Sequence, residues 1–555
     1  MKQFFFFGIC AVSLFFLGNL GGELFFLPVN SLLFLSLSAF LIVCILFQHF
    51  DSPLWITPKL TAALVALLLL VAVVLLSEVN EPVEWGLRLG YLVFGLVLLW
   101  VLLQEPVARL YSYAHILLGF LLLHALVGMV QTFVGAEFSW LIPLNPQRTP
   151  VGIFQQVNVQ ASLMVTAIIL AVYLLIYLQV HTIIKGFALL LLGVASLVLF
   201  ASGSRVGLLG FVLALPLILI ANSRYLLQHK GIFVGILLAV MIGSMAGVNL
   251  SDGFSHAHSK IERLAEQGQD VRPTIYRASW ELFKDSPIHG HGIGSFSTVF
   301  HEKIAEKQAE LGGVDIIGNQ RFTHPHNEIL FWAVEGGLLA VIGLLLFAGS
   351  VILALFQQGF RKGLTFFALL LPITLHTMVE LPFYTSVFHW FIFIFILALL
   401  FKQSAYPVQL TLSQSMQWLI KGSATIVILL SMLFFATSFY ISQQLPRIIY
   451  QGQGSLEQLY SFRKHPYFTD FAVRMTFANL ALHERDEKGE EINRQYAQWM
   501  ESYLQRVPDI NVFIDLMRVY DYLSEQEKLR VIADRALYLF PEHPGIREVV
   551  DGIKN

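Results

Sequence analysis

The sequence predicts an all-α polytopic membrane protein, and three observations support that prediction. Of the 555 residues, 56% are hydrophobic and only 13% are charged, whereas a soluble globular domain carries about 25% charged residues. The mean hydropathy is +0.69. Apolar runs of roughly 20 residues, the length that crosses the hydrocarbon core of a bilayer, recur along the chain. The net charge of −2 argues against a nucleic-acid-binding protein.

Each long apolar run predicts one membrane-spanning helix, which gives about thirteen helices in all. We expect the first run to be a retained helix rather than a cleaved signal peptide, because many more runs follow it. Cys10 and Cys44 lie in these runs, which excludes a disulfide framework and predicts packing roles. The predicted spans lie at about 4–20, 27–48, 60–77, 86–104, 111–134, 160–180, 184–201, 206–222, 231–249, 328–356, 364–380, 384–401 and 418–441.

The basic residues of the short loops predict the orientation of these helices. Loops that carry Lys59, Arg109 and Lys402 all fall on one side of the membrane if the N-terminus is cytoplasmic, as the positive-inside rule requires. The long loop 250–327 and the tail 443–555 then lie outside. We therefore expect the chemistry of this protein to face away from the cytoplasm.

A change of composition divides the chain into two predicted domains. Residues 1–442 form the membrane domain, which includes the outward loop 250–327. Residues 443–555 are rich in charge and show helical periodicity with Pro-terminated ends. The segment 533–546 resembles the second helix of a tetratricopeptide unit. We expect a small helical-hairpin domain there, with acceptor docking and a simple lid as the two open roles.

A histidine pair marks the end of the long loop, in "FTHPHNEILFWAVEGG" (322–337). His324 and His326 flank a proline, and Asn327 is a good N-cap for the membrane helix that follows. A neutral imidazole accepts a proton near neutral pH, so His326 is the candidate general base. The i, i+2 spacing, with no HExxH and no paired Cys, disfavours a metal site. His301, earlier in the loop, is expected to be a solvated residue.

An arginine occupies a tight outward turn between two spans, in "FASGSRVGLLG" (200–210). A charge beside the membrane predicts a functional site, and the guanidinium fork suits phosphate. Arg205 is therefore a candidate phosphate-binding residue. Arg272 and Arg277 of the long loop are candidates for the same pocket. The alternative for Arg205 is a side chain that reaches towards lipid headgroups.

Amide side chains are dense in "NPQRTPVGIFQQVNVQAS" (145–162). Because uncompensated amides are costly in lipid, we expect Gln155, Gln156 and Asn158 to face a polar cavity or to cap a helix. Uncharged amides suit sugar hydroxyls or an acceptor backbone, and interhelical hydrogen bonds are the structural alternative.

Glu335, before two glycines, is a candidate cavity-lining residue for which structural pairing is the alternative. His376 is expected to pair with another polar group.

The succession of motifs resembles a known superfamily. "SGSR" after a span, "YRASWELFKDSPIHGHGIGSF" (276–296) in the long loop and "HPHNEILFWAVEGG" at the next span resemble the Wzy/WaaL O-antigen polymerases and ligases. "VGIFQQVNVQA" (151–161) and the extra C-terminal segment are similar to the PglL-type bacterial protein O-oligosaccharyltransferases. The resemblance covers roughly residues 140–400.

The resemblance implies a GT-C-like bundle in the bacterial inner membrane with a periplasmic active site. It implies an undecaprenyl-diphosphate-linked oligosaccharide donor and a periplasmic acceptor protein, commonly a type IV pilin, glycosylated on Ser or Thr. By its motifs, His326 is the catalytic histidine, Arg205 and Arg277 are the catalytic arginines, and Gln156 and Asn158 form the Q-x-N element. The donor chemistry requires no cofactor. The remaining candidate substrate-binding residues are His324, Arg272, Gln155, Asn327 and Glu335.

Two alternatives stay open from the sequence. An O-antigen ligase or polymerase would use the same donor with a lipid or glycan acceptor. A transporter of lipid-linked sugars would place charges inside several spans and show internal repeats, and neither feature is prominent here.

Overall fold

The computed structural model describes residues 1–50, 52–134, 142–144, 147–178, 181–250, 271–409, 412–482 and 487–554. Within these residues the chain is almost wholly α-helical. The only sheet found in them is a two-stranded antiparallel pair, β1 (Leu54–Ile56) with β2 (Tyr406–Val408). The predicted all-α membrane class is therefore confirmed. Residues 251–270 of the long loop lie outside the described residues.

Among the described residues, ten helices precede the long loop, and five more lie between the loop and the C-terminal segment. The first ten are α1 Lys2–Val12, α2 Pro28–Leu46, α3 Pro58–Ala72, α4 Pro82–Gln104, α5 Val107–Phe133, α6 Val157–Tyr177, α7 Thr182–Ser202, α8 Arg205–Ala221, α9 Ser223–Gln228 and α10 Lys230–Leu250. The long loop contributes α11 Arg272–Asp285 and α12 Phe296–Glu310. The next five are α13 Glu328–Gln357, α14 Gly359–Thr377, α15 Pro382–Thr385, α16 Val387–Lys402 and α17 Gln414–Gln451.

The C-terminal segment is built from short helices. They are α18 Leu456–Ser461, α19 Thr469–Leu480, α20 Glu487–Arg506, α21 Ile510–Tyr522, α22 Gln526–Leu539 and α23 Pro544–Lys554. Single 3₁₀ turns occur at Leu24–Phe26, Val73–Leu75, Phe462–Lys464 and Pro466–Phe468.

Every predicted span overlaps a helix, but fewer helices than predicted are long and apolar enough to cross a membrane. Nine of the helices in the described residues meet both conditions. The apolar helices α1, α8 and α16 are shorter, at 11, 17 and 16 residues. Helix α14 begins with Arg361 and Lys362 in its first turn, and these charges lower its hydropathy. The nine long helices, the three shorter apolar helices and α14 together lie at the predicted spans, so the described helices are consistent with the estimate of about thirteen.

The chain divides into two compact units. The first unit comprises Met1–Val65, Val93–Gly268 and Leu346–Pro446. Helix α6 is its central element, because every residue from Val159 to Ile176 is buried. α6 packs against α5, α7, α8 and α14. Such a helix is apolar on all sides, as expected for one surrounded by other helices.

The second unit comprises Ala66–Leu92, Gln269–Leu345 and Arg447–Asn555. Its C-terminal helices enclose a core of buried apolar side chains, among them Met500, Phe513 and Met517. Ala305 of α12 belongs to the same core. The long loop and the C-terminal helices of this unit therefore share one hydrophobic core.

Helix α13 is interrupted at Gly337, whose φ of 62° and ψ of −155° are not helical. The glycine-rich loop after α11 satisfies the backbone groups that the interruption frees. Leu338 N donates to Pro287 O (2.7 Å), His291 N to Val334 O (2.8 Å) and Gly292 N to Glu335 O (3.0 Å). A break in an apolar helix is tolerated when the freed backbone groups find partners in the protein, as these three do.

Candidate functional site

The turn that carries Arg205 is tied to the amide-rich element. Gly203 ends α7 in the left-handed conformation (φ 62°), and Ser204 caps α8 by accepting from Gly207 N (3.2 Å). Ser204 Oγ donates to Asn158 Oδ1 over 2.8 Å. Arg205 is the first residue of α8 and is exposed. Among the described residues its guanidinium has no hydrogen bond or ion pair, so this cation is available to a ligand.

Buried amides shape the loop before α6. Gln131 holds Gly152 at both backbone groups: its Oε1 accepts from Gly152 N (2.8 Å) and its Nε2 donates to Gly152 O (3.1 Å). Gln155 is exposed at a left-handed φ of 58°, and its Nε2 donates to Asn19 Oδ1 (3.1 Å). Gln156 precedes α6, and its buried Oε1 has no hydrogen-bond partner among the described residues. A buried acceptor without a partner requires an explanation, and a bound hydroxyl would supply the missing donor.

The histidine pair forms a compact turn in the second unit. His326 adopts a φ of 54°, and its N donates to His324 Nδ1 (3.2 Å), which requires that nitrogen to be unprotonated. The two rings lie 4.5 Å apart with an interplanar angle of 76°. Asn327 Oδ1 accepts from Leu330 N (3.0 Å), so the predicted N-cap is confirmed. A left-handed φ at a non-glycine residue costs of order 1 kcal/mol, and such strain is common at functional sites.

Helix α11 brings two predicted arginines to the same unit as the histidine pair. Arg272 is its first residue and Arg277 lies exposed in its second turn. Tyr276 Oη, next to Arg277 in the chain, donates a long hydrogen bond to His326 O (3.4 Å). This contact joins α11 to the histidine turn. The sequence offered no signal for Tyr276, since its partner lies 50 residues away.

A buried ion pair, which the sequence did not predict, joins α4 to the helix that follows the histidines. Arg88 of α4 is 4% exposed, and its Nη1 donates to Glu335 Oε2 over 2.5 Å. The other arm of the guanidinium pairs with Glu84. Glu335 Oε1 also accepts from Phe296 N (3.1 Å). The available signal was the charge of Arg88 within an apolar span. Glu335 thus has a structural partner, and its role in substrate binding stays a prediction.

His301 is fully buried, which corrects the expectation of a solvated side chain. Its ring lies 5.1 Å from Phe540, and its Nε2 accepts from Phe322 N (3.0 Å). Burial, and secondarily the charge of Arg321, lowers the pKa of the His301 imidazole to about 3. The sequence could not show this, because the apolar partner comes from the C-terminal helices. Arg321 pairs with Asp509, the N-cap residue of α21.

His376 has the polar partner that the sequence predicts. Ser162 Oγ of α6 lies 2.8 Å from His376 Nδ1 and 3.2 Å from His389 Nε2. His389 Nδ1 in turn lies 3.0 Å from Ser386 Oγ. All four side chains are buried. This hydrogen-bonded set joins α6, α14 and α16 within the first unit.

The predicted site residues fall into two groups. His324, His326, Asn327, Arg272, Arg277 and Glu335 belong to the second unit. Gln155, Gln156, Asn158 and Arg205 belong to the first unit. That the two groups serve one active site stays a prediction.

Three family models match the chain, in the order in which the motifs occur. A model described as protein glycosylation ligase matches residues 150–175. One described as O-antigen ligase matches residues 187–348. The C-terminal model of the virulence factor membrane-bound polymerases matches residues 364–550. No curated protein matches the chain.

These matches cover the segments on which the resemblance was based. The glycosylation-ligase match contains Gln155, Gln156 and Asn158, and the O-antigen-ligase match runs from α7 through Arg205 and both loop helices to the histidine pair. A membrane protein with these ligase regions transfers glycans. The prediction that the protein is a glycosyl-transferring enzyme is therefore confirmed. The chain therefore contains an O-antigen-ligase region and a protein-glycosylation-ligase segment, and both agree with the predicted resemblance to PglL-type enzymes of the Wzy/WaaL superfamily.

Proposed function

We propose that the protein transfers a whole oligosaccharide from undecaprenyl diphosphate to a Ser or Thr hydroxyl of a periplasmic, pilin-like protein. The observation that supports a protein acceptor is the match of the glycosylation-ligase model to residues 150–175. That segment holds the exposed Gln155, the unsatisfied Gln156 and the Asn158 that contacts the Arg205 turn. Amide groups of this kind suit a peptide backbone or sugar hydroxyls.

Arg205 and Arg277 form the proposed clamp on the diphosphate. As the bond between sugar and phosphate breaks, negative charge builds on the phosphate oxygens while the sugar gains oxocarbenium character. Exposed guanidinium groups placed at those oxygens stabilise that charge without a metal ion. Both arginines are exposed, so each is accessible to a large charged leaving group.

His326 is the proposed base for the acceptor hydroxyl. A Ser or Thr hydroxyl is a weak nucleophile, and a histidine within hydrogen-bond reach removes or steers its proton. The left-handed backbone of His326 and the Asn327 cap define the turn that carries the imidazole. Direct attack opposite the departing diphosphate gives inversion at the anomeric carbon.

The proposed orientation follows from the loop charges. The N-terminus lies in the cytoplasm of a bacterial cell, and the histidine turn and C-terminal helices lie in the periplasm. The membrane is the inner membrane, since that is where an undecaprenyl-linked donor is presented. The membrane lipids would contact the exposed faces of the apolar helices that surround the buried α6.

Purified protein, undecaprenyl-diphosphate oligosaccharide and a pilin-type acceptor test the proposal directly. We expect intact-mass analysis to show the acceptor heavier by one complete glycan, with equal yield in EDTA. Extension of the donor glycan, or labelling of a lipid A core in place of the protein, would contradict the protein acceptor. Loss of activity in EDTA that is restored by a divalent cation would contradict the metal-free mechanism.

The second candidate function is an O-antigen ligase or polymerase. The matches to the O-antigen-ligase model and to the polymerase C-terminal model favour it specifically. The same donor and the same arginines would serve that reaction, and only the acceptor would differ. The acceptor comparison in the assay above separates the two candidates.

A further inference from the structure

The histidine pair is attached to a half-helix that is held independently of the rest of α13. The interruption at Gly337 separates residues 328–336, here called the histidine half-helix, from the remainder of α13. Helix continuity therefore does not fix its rotation about its own axis. Its carbonyl groups at Val334 and Glu335 bond instead to the loop 287–292. A further contact is therefore needed to fix the rotation of the histidine half-helix about its own axis.

Arg88 supplies that contact through three residues of the histidine half-helix. Its guanidinium carbon lies 4.0 Å from the centre of the Phe331 ring and 5.5 Å from that of Trp332. Its Nη1 bonds to Glu335 Oε2 at 2.5 Å. Positions 331, 332 and 335 share one face of a helix. A planar, charged group held against this face resists both rotation and sliding of the half-helix.

A continuous set of ring contacts leads from Arg88 to the imidazoles. The Phe331 ring, which lies under the guanidinium, is 6.4 Å from the His324 ring. The His324 ring is 4.5 Å from that of His326, and His324 Nδ1 accepts from His326 N. Phe331 N donates to Asn327 O (3.0 Å), which fixes the first turn beside the pair. A displacement of Phe331 would therefore move the His324 ring and the turn that it supports.

We propose that Arg88 is a positioning residue for His326, acting through Phe331 and Glu335. The inference rests on the proposed function, in which His326 is the base. A misplacement of about 1 Å at a reacting group can cost 10²-fold in rate. Loss of the Arg88 contacts should therefore lower kcat while leaving the binding of the donor nearly unchanged.

The test compares two variants with the wild type. Arg88→Lys keeps the charge beside Glu335 but removes the planar group over Phe331. Because loss of Arg88 alone would leave Glu335 buried and unpaired, the second variant is the double replacement Arg88→Met with Glu335→Leu, which removes both charges. The steady-state kcat, the KM for the lipid-linked donor and the pH dependence of kcat are measured for each. Thermal unfolding in detergent checks that each variant is folded.

We expect both folded variants to lose at least about tenfold in kcat, with the donor KM within about threefold of wild type and a shifted pH profile for kcat. Wild-type kcat in the double variant, or a higher KM at unchanged kcat, would overturn the inference. The control is Glu105→Gln in the first unit, a buried carboxylate paired with Lys2 and Arg109. Its kcat and pH profile should stay at the wild-type values.

The wild-type assay separates this inference from the proposed function. If the wild-type protein transfers no glycan to a protein acceptor, the proposed function fails first. If the wild type transfers the glycan and the double variant matches its kcat, the proposed function stands and the positioning role is wrong.

Discussion

At the scale of single residues, two neighbouring imidazoles have different surroundings. His324 uses Nδ1 to accept from the backbone of His326, which gives His324 a role in holding the turn. His326 occupies the strained left-handed conformation. This difference supports His326 as the principal base and His324 as its support.

Replacement of His326 by Ala should lower glycan transfer by at least about 10²-fold, because the acceptor hydroxyl loses its base. The amount of protein in the membrane should not change. His289→Ala is the control, since His289 is an exposed histidine of the same unit. Transfer at more than a tenth of the wild-type rate in the His326 variant would exclude the role of base.

Replacement of Arg205 by Lys should lower kcat/KM for the donor roughly 10- to 100-fold, because an ammonium group cannot form the paired hydrogen bonds of the guanidinium fork. Arg224→Lys, an exposed arginine in the first unit, should have no effect. Equal kcat/KM values for the Arg205 variant and the wild type would remove Arg205 from the clamp.

At the scale of elements, the interrupted helix α13 shows what a sequence reveals and what it does not. "VEGG" predicted only a possible cavity lining, but the structure shows a helix break whose freed groups bond to the loop "PIHGHGIG". The Asn327 cap was predictable because a cap is local. The pairs Arg88–Glu335 and Asn158–Ser204 were not, since they join residues far apart in sequence.

Replacement of Gly337 by Ala should destabilise the protein by roughly 2 kcal/mol or more, because its backbone conformation is almost confined to glycine. A Cβ there would also lie 2.5 Å from Ile288 O. At Gly349 of the same helix, an added Cβ would meet no described atom within 4 Å, and Gly349→Ala should stabilise by up to about 1 kcal/mol. Thermal unfolding of the Gly337→Ala and Gly349→Ala variants in the same detergent tests both expectations. Equal melting temperatures for the two variants would contradict a strained backbone at Gly337.

At the scale of the whole molecule, the C-terminal helices support the long loop that ends in the histidine pair. The Arg321–Asp509 ion pair and the His301–Phe540 contact both join that loop to these helices within the second unit. Composition predicted a helical C-terminal segment, and the part of that segment that the structure describes contains six helices. Its attachment was not predictable, because His301 resembles any polar loop residue until its apolar neighbours are known.

Acid should weaken this attachment. The folded pKa of His301 is about 3 and the unfolded value is about 6.5, so the folded state binds the proton less readily. The contribution of neutral His301 to the stability of the folded state is full above pH 6.5 and is lost progressively as the pH falls towards 3. Between pH 7.5 and 5 the loss is about 2 kcal/mol. Thermal unfolding of the wild type and of His301→Gln between pH 7.5 and 5 tests this loss. An equal decrease in stability with falling pH for both proteins would contradict its attribution to His301.

The central claim is that Arg205 and His326 act on one donor molecule. Cross-linking tests it most directly, with Arg205→Cys and His326→Cys introduced into a chain whose Cys10 and Cys44 have been replaced by Ala. We predict that a bifunctional thiol reagent no longer than a sugar diphosphate joins the two cysteines, and that the lipid-linked donor protects them. Failure to join them, or labelling of the two positions from opposite faces of the membrane, would contradict the account.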